Sequence, residues 1–201
     1  MKLHRLEDFK APKTGTAVCL GTFDGVHRGH QALIERTVAA AREKGLISCA
    51  YTFDLPPACV LGRGKDEVLT GIEEKAKLMG DYGIEEVVYS HFSMDVAKQS
   101  AESFFNDLLI GKLNARHIVI GFHYHFGQFA RGDAALMQEY CSRAGIGLSV
   151  VPAVQLDGGE LVSSTAVRAF LRAGDRDNAQ KMLNRALSAR EEHLLGGRIN
   201  E

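Results

Sequence analysis

No apolar run in the sequence approaches the roughly 20 residues that a membrane helix needs, so no segment reads as a span and no membrane partner is expected. The opening stretch, MKLHRLEDFK, lacks the apolar middle of a secretory signal, and the cytoplasm is the expected compartment. Cysteine is sparse: Cys19, Cys49, Cys59 and Cys141 stand far apart without a C-x-x-C pair, which reads as reduced, mostly buried thiols rather than a zinc centre. A formal net charge of −1 leaves no excess of basic residues to neutralise many phosphates, so nucleic acid is not an expected partner and small ligands are. Internal repeats, low-complexity tracts and Pro-rich linkers are missing too, and one domain is the simplest organisation. Neither G-x-G-x-x-G nor the P-loop pattern occurs, which disfavours a nicotinamide site and a P-loop kinase.

What the chain does have is ordinary globular composition: 201 residues, 45% hydrophobic and 24% charged, enough for a sizeable core. Runs of apolar and β-branched residues at 16–20, 46–53, 86–90, 117–121 and 146–151 read as buried strands. Helical spacing fills the gaps at 31–44, 73–82, 101–113 and 134–144, and Gly45, Gly83 and Gly145 follow three of these segments where a left-handed cap is wanted. The alternation predicts an α/β fold, a Rossmann-like doubly wound parallel sheet of about five strands in a single domain over 1–186, with a polar tail over 187–201 that could add one short helix. Residues 54–66 mix two prolines with two glycines and read as a long loop.

The segment after the first of those strands runs Gly21-Thr22-Phe23-Asp24-Gly25-Val26-His27-Arg28-Gly29-His30 straight into a helix. Open α/β sheets bind ligands at such a strand-to-helix junction, and free amides at a helix start attract phosphate oxygens. Gly29 removes a side chain that would keep a phosphate from the backbone, while His27 and His30 can donate to its oxygens. On their own the two histidines could equally be polar residues at a helix start, or a metal pair for which no third ligand is identifiable. Far downstream, Ser163-Ser164-Thr165-Ala166-Val167-Arg168 offers a helix cap with an arginine one turn later, whose planar fork suits two phosphate oxygens. An ordinary cap followed by a surface arginine is the plainer reading of that stretch alone.

Together the motifs carry a resemblance. GTFDGVHRGH resembles the H-x-G-H signature of the nucleotidyltransferase superfamily, and is similar in wording to the FMN adenylyltransferase module of bacterial FAD synthetases. Leu69-Thr70 with Glu74-Lys75 resembles that family's L-T-x-x-x-K region, Gly121 with Phe126-Gly127 and Gly132-Asp133 its G-x-D-F-x-F-G…G-D segment, and residues 163–168 its S-S-T-x-x-R motif. The likeness runs from about 16 to 185, nearly the whole chain.

The resemblance implies a flavin-pathway transferase that moves AMP from ATP to FMN and releases pyrophosphate, with ATP and FMN as substrates and Mg2+ expected beside them. It implies catalytic roles for His27, His30 and Arg168, and nucleotide contacts from Gly21, Thr22, Phe23, Asp24, Gly25, Gly29, Gly121, His123, Ser163, Ser164 and Thr165. Acceptor contacts fall on Phe53, Asp54, Pro57, Phe126 and Gly127. No magnesium ligand is assigned; Asp24 is the nearest acidic candidate, and a turn-stabilising role suits it as well. Two positions depart from the family pattern. Pro56 stands where T-F-x-P-H-P would place its histidine in Thr52–Pro57, and His123 stands where Asp or Asn is usual. Another phosphorylated acceptor, such as nicotinamide mononucleotide or phosphopantetheine, a cytidylyl donor, or a non-catalytic flavin- or adenine-nucleotide-binding protein, therefore remain alternatives. A riboflavin kinase domain is not expected in a chain of this length, so a separate riboflavin kinase would supply FMN if the chain is full length.

Overall fold

A short strand that the apolar pattern does not reveal, Lys2–Arg5 (β1), opens the chain and makes the sheet six-stranded instead of five-stranded. Its four residues are only half covered because it pairs on one side alone, with Leu3 opposite Val87, and so it lacks the continuous apolar run of a central strand. The computed structural model describes residues 1–62 and 68–197; part of the expected 54–66 loop, from residue 63 on, lies outside the described residues.

The remaining elements follow in the anticipated alternation. Thr16–Leu20 (β2), Arg28–Lys44 (α1), Ile47–Phe53 (β3), Pro57–Val60 (α2), Ile72–Asp81 (α3) and Glu86–Ser90 (β4) make the first half. Met94–Ala97 (α4), Ala101–Ser103 (α5) running on into a wide-wound turn over Phe104–Lys112, and Ala115–Gly121 (β5) come next. Ala134–Ala144 (α6), Gly147–Val151 (β6), Ser164–Arg172 (α7), Arg176–Leu183 (α8) and Ala189–Leu194 (α9) complete the described chain. All pairings are parallel and the order across the sheet is β1-β4-β3-β2-β5-β6. The chain builds outward from β2 in one direction, then returns to its other side at β5, so the order reverses between β2 and β5. Ligands of open α/β sheets sit outside the strand carboxyl ends at such a reversal.

Alternation along the strands divides the core. Val18, Leu20, Tyr51, Ile118 and Ile120 face Phe104, Phe105, Leu108 and Leu109 on one side, whereas Cys19, Ala50, Val87 and Val119 face Leu33 and Ile34 of α1 and Ala76 and Met79 of α3 on the other. Helices α1 and α6 end on Gly45 and Gly145 at φ 65° and 66°, a backbone that glycine adopts without steric cost.

The C-terminal stretch is more than a polar tail. Leu187, Leu194 and Leu195 pack against a satellite core of Leu69, Val167, Leu171, Met182 and Leu183. Glu191 is fully buried and accepts two bonds from Arg185, each 2.7 Å, while a Ser188–Glu191 capping box starts α9. Residues 198–201 lie outside the described residues.

Candidate active site

A cleft of about 440 Å3 opens where the carboxyl ends of β2, β3, β5 and β6 meet the start of α1. Gly21 and Thr22 after β2, Phe53 at the end of β3, Gly121 at the end of β5 and Val151 at the end of β6 all contribute to its wall.

The N-terminus of α1 forms one side. His27 is the helix cap, and its Nδ1 accepts the backbone N–H of His30 at 3.4 Å. A neutral ring that accepts at Nδ1 carries its proton on Nε2, which makes His27, a residue of the cleft wall, a hydrogen-bond donor. The His30 ring stacks on His27, with centroids 3.7 Å apart and planes within 16°, and its other neighbour is Phe23 at 5.1 Å. Burial pushes the His27 pKa down to about 4, with repulsion from Arg168 adding to it. Burial, then His27, then Lys75 push His30 well below its ordinary value. Both rings are therefore neutral at physiological pH. Nδ1 of His30 is buried and has no hydrogen-bond partner among the described residues. At Gly29 a Cβ would lie 3.2 Å from the His27 ring, so the absent side chain leaves that ring its place.

Beneath the histidines a buried carboxylate ties three distant segments together. Asp24 is 1% exposed. One of its oxygens accepts the amides of Leu69 and Thr70 at 3.0 and 3.1 Å, and the other accepts the Arg168 guanidinium. Its own carbonyl accepts the Ser164 hydroxyl at 2.8 Å. Gly25 completes the knot by donating to Thr70 Oγ1 at 2.9 Å while its carbonyl receives Arg185 at 3.0 Å. Burial raises the Asp24 pKa above the usual carboxylate range, and Arg168, the two amides and Lys75 pull it back. Each partner group satisfies a polar atom that would otherwise be costly at this depth.

Of the residues expected in the site, Gly21, Thr22, His27, Gly29, His30, Gly121, His123 and Ser163, expected at the nucleotide, and Phe53 and Pro57, expected at the acceptor, all line the cleft. Phe23, Asp24, Gly25, Ser164 and Arg168 stand behind them in the supporting layer. Thr165 is exposed on the first turn of α7, which Ser163 caps by accepting the Ala166 N–H at 3.1 Å. The structure does not bring Asp54, Phe126 or Gly127 into this cleft. Asp54 turns to a smaller cavity where its carboxylate meets His91 Nδ1 at 2.9 Å. Phe126 is buried against Phe104 and Tyr124, and Gly127, at φ 71°, abuts the backbone of Ala101. Pro56 is buried and His123 sits exposed on the rim with His125.

Sequence reasoning overlooked Leu33, Tyr51, Tyr124 and the stretch after β6, Pro152 to Val154, all of which line the cleft. Pro152 follows a strand's carboxyl end, so the rule that located His27 would have located it as well. Among the described residues no three His, Cys, Asp or Glu side chains are arranged to hold a metal, and no helix is long and apolar enough to cross a membrane.

Comparison with known proteins gives this geometry a context. A family model described as FAD synthetase matches residues 9–166. A relative from Geobacillus thermodenitrificans, named provisionally as a bifunctional riboflavin kinase/FMN adenylyltransferase, is 31% identical over 175 residues, covering 87% of this chain and 93% of its own length. A bifunctional riboflavin kinase/FMN adenylyltransferase from Pseudomonas fluorescens is 32% identical over 180 residues, and a FAD synthetase from Listeria monocytogenes is 31% identical over 166. They cover 90% and 82% of this chain, which spans only 58% and 66% of their lengths. Among solved structures, one described as a macrolide-efflux protein from Streptococcus pneumoniae superposes with a TM-score of 0.82 at 29% identity, over 93% of this chain and 63% of its own. Pantothenate synthetase from Thermus thermophilus, at 15% identity and a TM-score of 0.52 over 91% of this chain and 71% of its own, shares the fold.

Proposed function

We propose that this chain, which belongs to the FAD synthetase family, transfers the adenylyl group of ATP to the phosphate of FMN and releases pyrophosphate, giving FAD. The observation that carries the reading is the meeting of residues 21–30 and 163–168: Ser163 lines the same cleft as His27 and His30, and Arg168 and Ser164 are bound to Asp24.

In this reaction a phosphate oxygen of FMN attacks the α-phosphorus of ATP in line, forming a new P–O bond as the bond to the bridging oxygen of the β-phosphate breaks. Pyrophosphate carries the electron pair away. No protein nucleophile is required, so the chain's work is positioning and charge stabilisation. His27, with its proton on Nε2, donates to the triphosphate, and His30 lies nearest the α- and β-phosphates. Being neutral, both give hydrogen bonds without competing ion pairs. Arg168, placed by Asp24 on the first turns of α7, steadies the leaving pyrophosphate together with the Ser163–Thr165 turn. Phe53 and Pro57 form the acceptor wall. Magnesium is expected wherever two polyanions approach, yet among the described residues no carboxylate lines the cleft and both oxygens of Asp24 are engaged. The described residues do not make a site for it. The proposed unit is residues 1–186 with α9 docked on it, working in the cytoplasm on FMN made by a riboflavin kinase.

The test is FAD formation and pyrophosphate release by the purified protein with ATP and FMN, set beside nicotinamide mononucleotide and phosphopantetheine. FMN inert with another acceptor consumed overturns the assignment. Binding of ATP and FMN without pyrophosphate release would establish instead a carrier, the reading that Pro56 and His123 favour.

A further inference from the structure

Three acidic or basic side chains are essentially sealed from solvent among the described residues: Asp24, Lys75 and Glu191. Two of these are neutralised in place, Asp24 by Arg168 and Glu191 by Arg185. Lys75 is not. No carboxylate lies within ion-pair distance of its ammonium among the described residues, and its one hydrogen bond goes to the backbone carbonyl of Phe53, 3.1 Å away. An ammonium with three donors, one acceptor and only longer-range attraction to Asp24 and Asp54 is costly at this depth, and an apolar side chain of the same length would fill the space without that cost.

Its surroundings indicate what the charge is for. Lys75 rises from the first turn of α3 to the end of β3, where Phe53 forms the cleft wall. The charged and titratable groups around it are Asp24 from the turn after β2, Asp54 from the end of β3, His30 from α1, and Arg168 from α7 acting through Asp24. His27 and His30 bring no positive charge, and that of Arg168 is balanced by Asp24. Beside the histidines, the positive charge that forms no direct ion pair among the described residues is therefore that of Lys75.

We propose that Lys75 is a positioning residue for the adenylyl transfer: its ammonium anchors the Phe53 carbonyl at the cleft wall and supplies, from behind His30, a fixed positive field toward which the phosphates are drawn. The inference rests on the transferase reading above. A fixed charge in a water-poor setting acts more strongly than one in solvent and needs no rearrangement when negative charge builds up on the reacting phosphates.

Burial lowers the Lys75 pKa from 10.5 to about 8, partly opposed by Asp24 and Asp54. The folded state thus favours neutral Lys75. The stability penalty of its charge is present below about pH 8 and disappears as pH rises toward 10.5, while the proposed assistance to catalysis is lost at the start of that rise, as the folded-state charge titrates around pH 8. Activity and stability should move in opposite directions, which a merely structural lysine would not cause.

The experiment compares wild type with Lys75→Met between pH 6 and 10 for kcat, KM and Tm. Expected are a kcat at pH 7 lower by roughly ten- to hundredfold, KM for FMN within about twofold, a Tm at least equal to wild type, and loss of the wild-type decline in kcat above pH 8. A variant that keeps wild-type kcat, or keeps that alkaline decline, overturns the proposal. A wild type that makes no FAD from FMN sinks the transferase assignment separately. In that case, or if the variant fails to fold, lysine ε-13C resonances of the wild-type protein decide: one should titrate near pH 8 and move up by about half a unit or more when ATP is added. A midpoint unmoved by ATP overturns the role of Lys75.

Discussion

The carboxylate of Asp24 holds the guanidinium of Arg168 from 144 positions further along the chain, and the same carboxylate clasps the amides of Leu69 and Thr70. One side chain thereby makes a single object of the helix mouth, the Leu69-Thr70 turn and the start of α7. Replacing it with a neutral amide should weaken the grip on the partly buried guanidinium of Arg168 and on the two amides together. Asp24→Asn is expected to lose roughly 3–5 kcal/mol of stability, read as a lower urea midpoint. Combining it with Arg168→Met should recover part of that loss, a coupling of about 1–3 kcal/mol; strictly additive losses would show that the pair contributes nothing of its own.

Acid should loosen the molecule through the stacked histidines. In the folded state His27 resists protonation down to about pH 4, whereas the unfolded chain takes up that proton near pH 6.5. The unfolded state therefore binds more protons in this window, and stability falls as pH drops from about 6.5 to about 4, by on the order of 2–3 kcal/mol for this group. His30 adds to the loss in the same direction. Denaturation curves across that range should flatten in His27→Gln; an unchanged slope would refute the burial argument.

Two glycines of the signature segment should respond differently to alanine. At Gly25 the backbone sits at φ +81° and a Cβ would come 2.8 Å from Leu69, so Gly25→Ala combines strain with crowding and should cost about 1–3 kcal/mol. Gly29 has no such backbone demand, and its Cβ would crowd the His27 ring at 3.2 Å while touching the Val162 carbonyl oxygen at an ordinary 3.7 Å. Gly29→Ala is thus expected to keep stability within about 1 kcal/mol while lowering kcat by displacing His27. Calorimetry beside turnover measurements separates the two effects.

The central strands and most helices could be read from apolar periodicity because parallel strands covered on both faces leave unbroken apolar runs, as Thr16–Leu20 and Ile47–Phe53 do. Strand β1 escaped since Lys2, His4 and Arg5 belong to an edge with one neighbour. Within the site, the helix-mouth histidines were legible from local spacing. The pairing of Asp24 with Arg168 was not, because a contact across 144 positions leaves no periodic trace. Asp54 shows the same limit on a smaller scale: it follows Phe53 directly, yet alternation along an extended chain sends the two to different cavities. Leu69-Thr70 appeared in the sequence only as a signature, and its physical reason, two amides aimed at one carboxylate, became visible with the fold.

His123 tests the nucleotide side. It is exposed on the cleft rim, in edge contact with Phe122 at 5.1 Å, and makes little packing. His123→Asn should therefore leave stability within about 0.5 kcal/mol and alter the KM for ATP with the acceptor parameters held. A change confined to the acceptor would move His123 to the acceptor side.

The turn at Gly25 is fastened by Leu69-Thr70, Ser164, Arg168 and Arg185, the last secured in turn by Glu191. A chain emerging from its amino end has no finished nucleotide site until residues beyond 185 have docked, however early its sheet begins to pair. Acquisition of ATP binding during refolding would accordingly be the last event, a molecular signal that assembly is done.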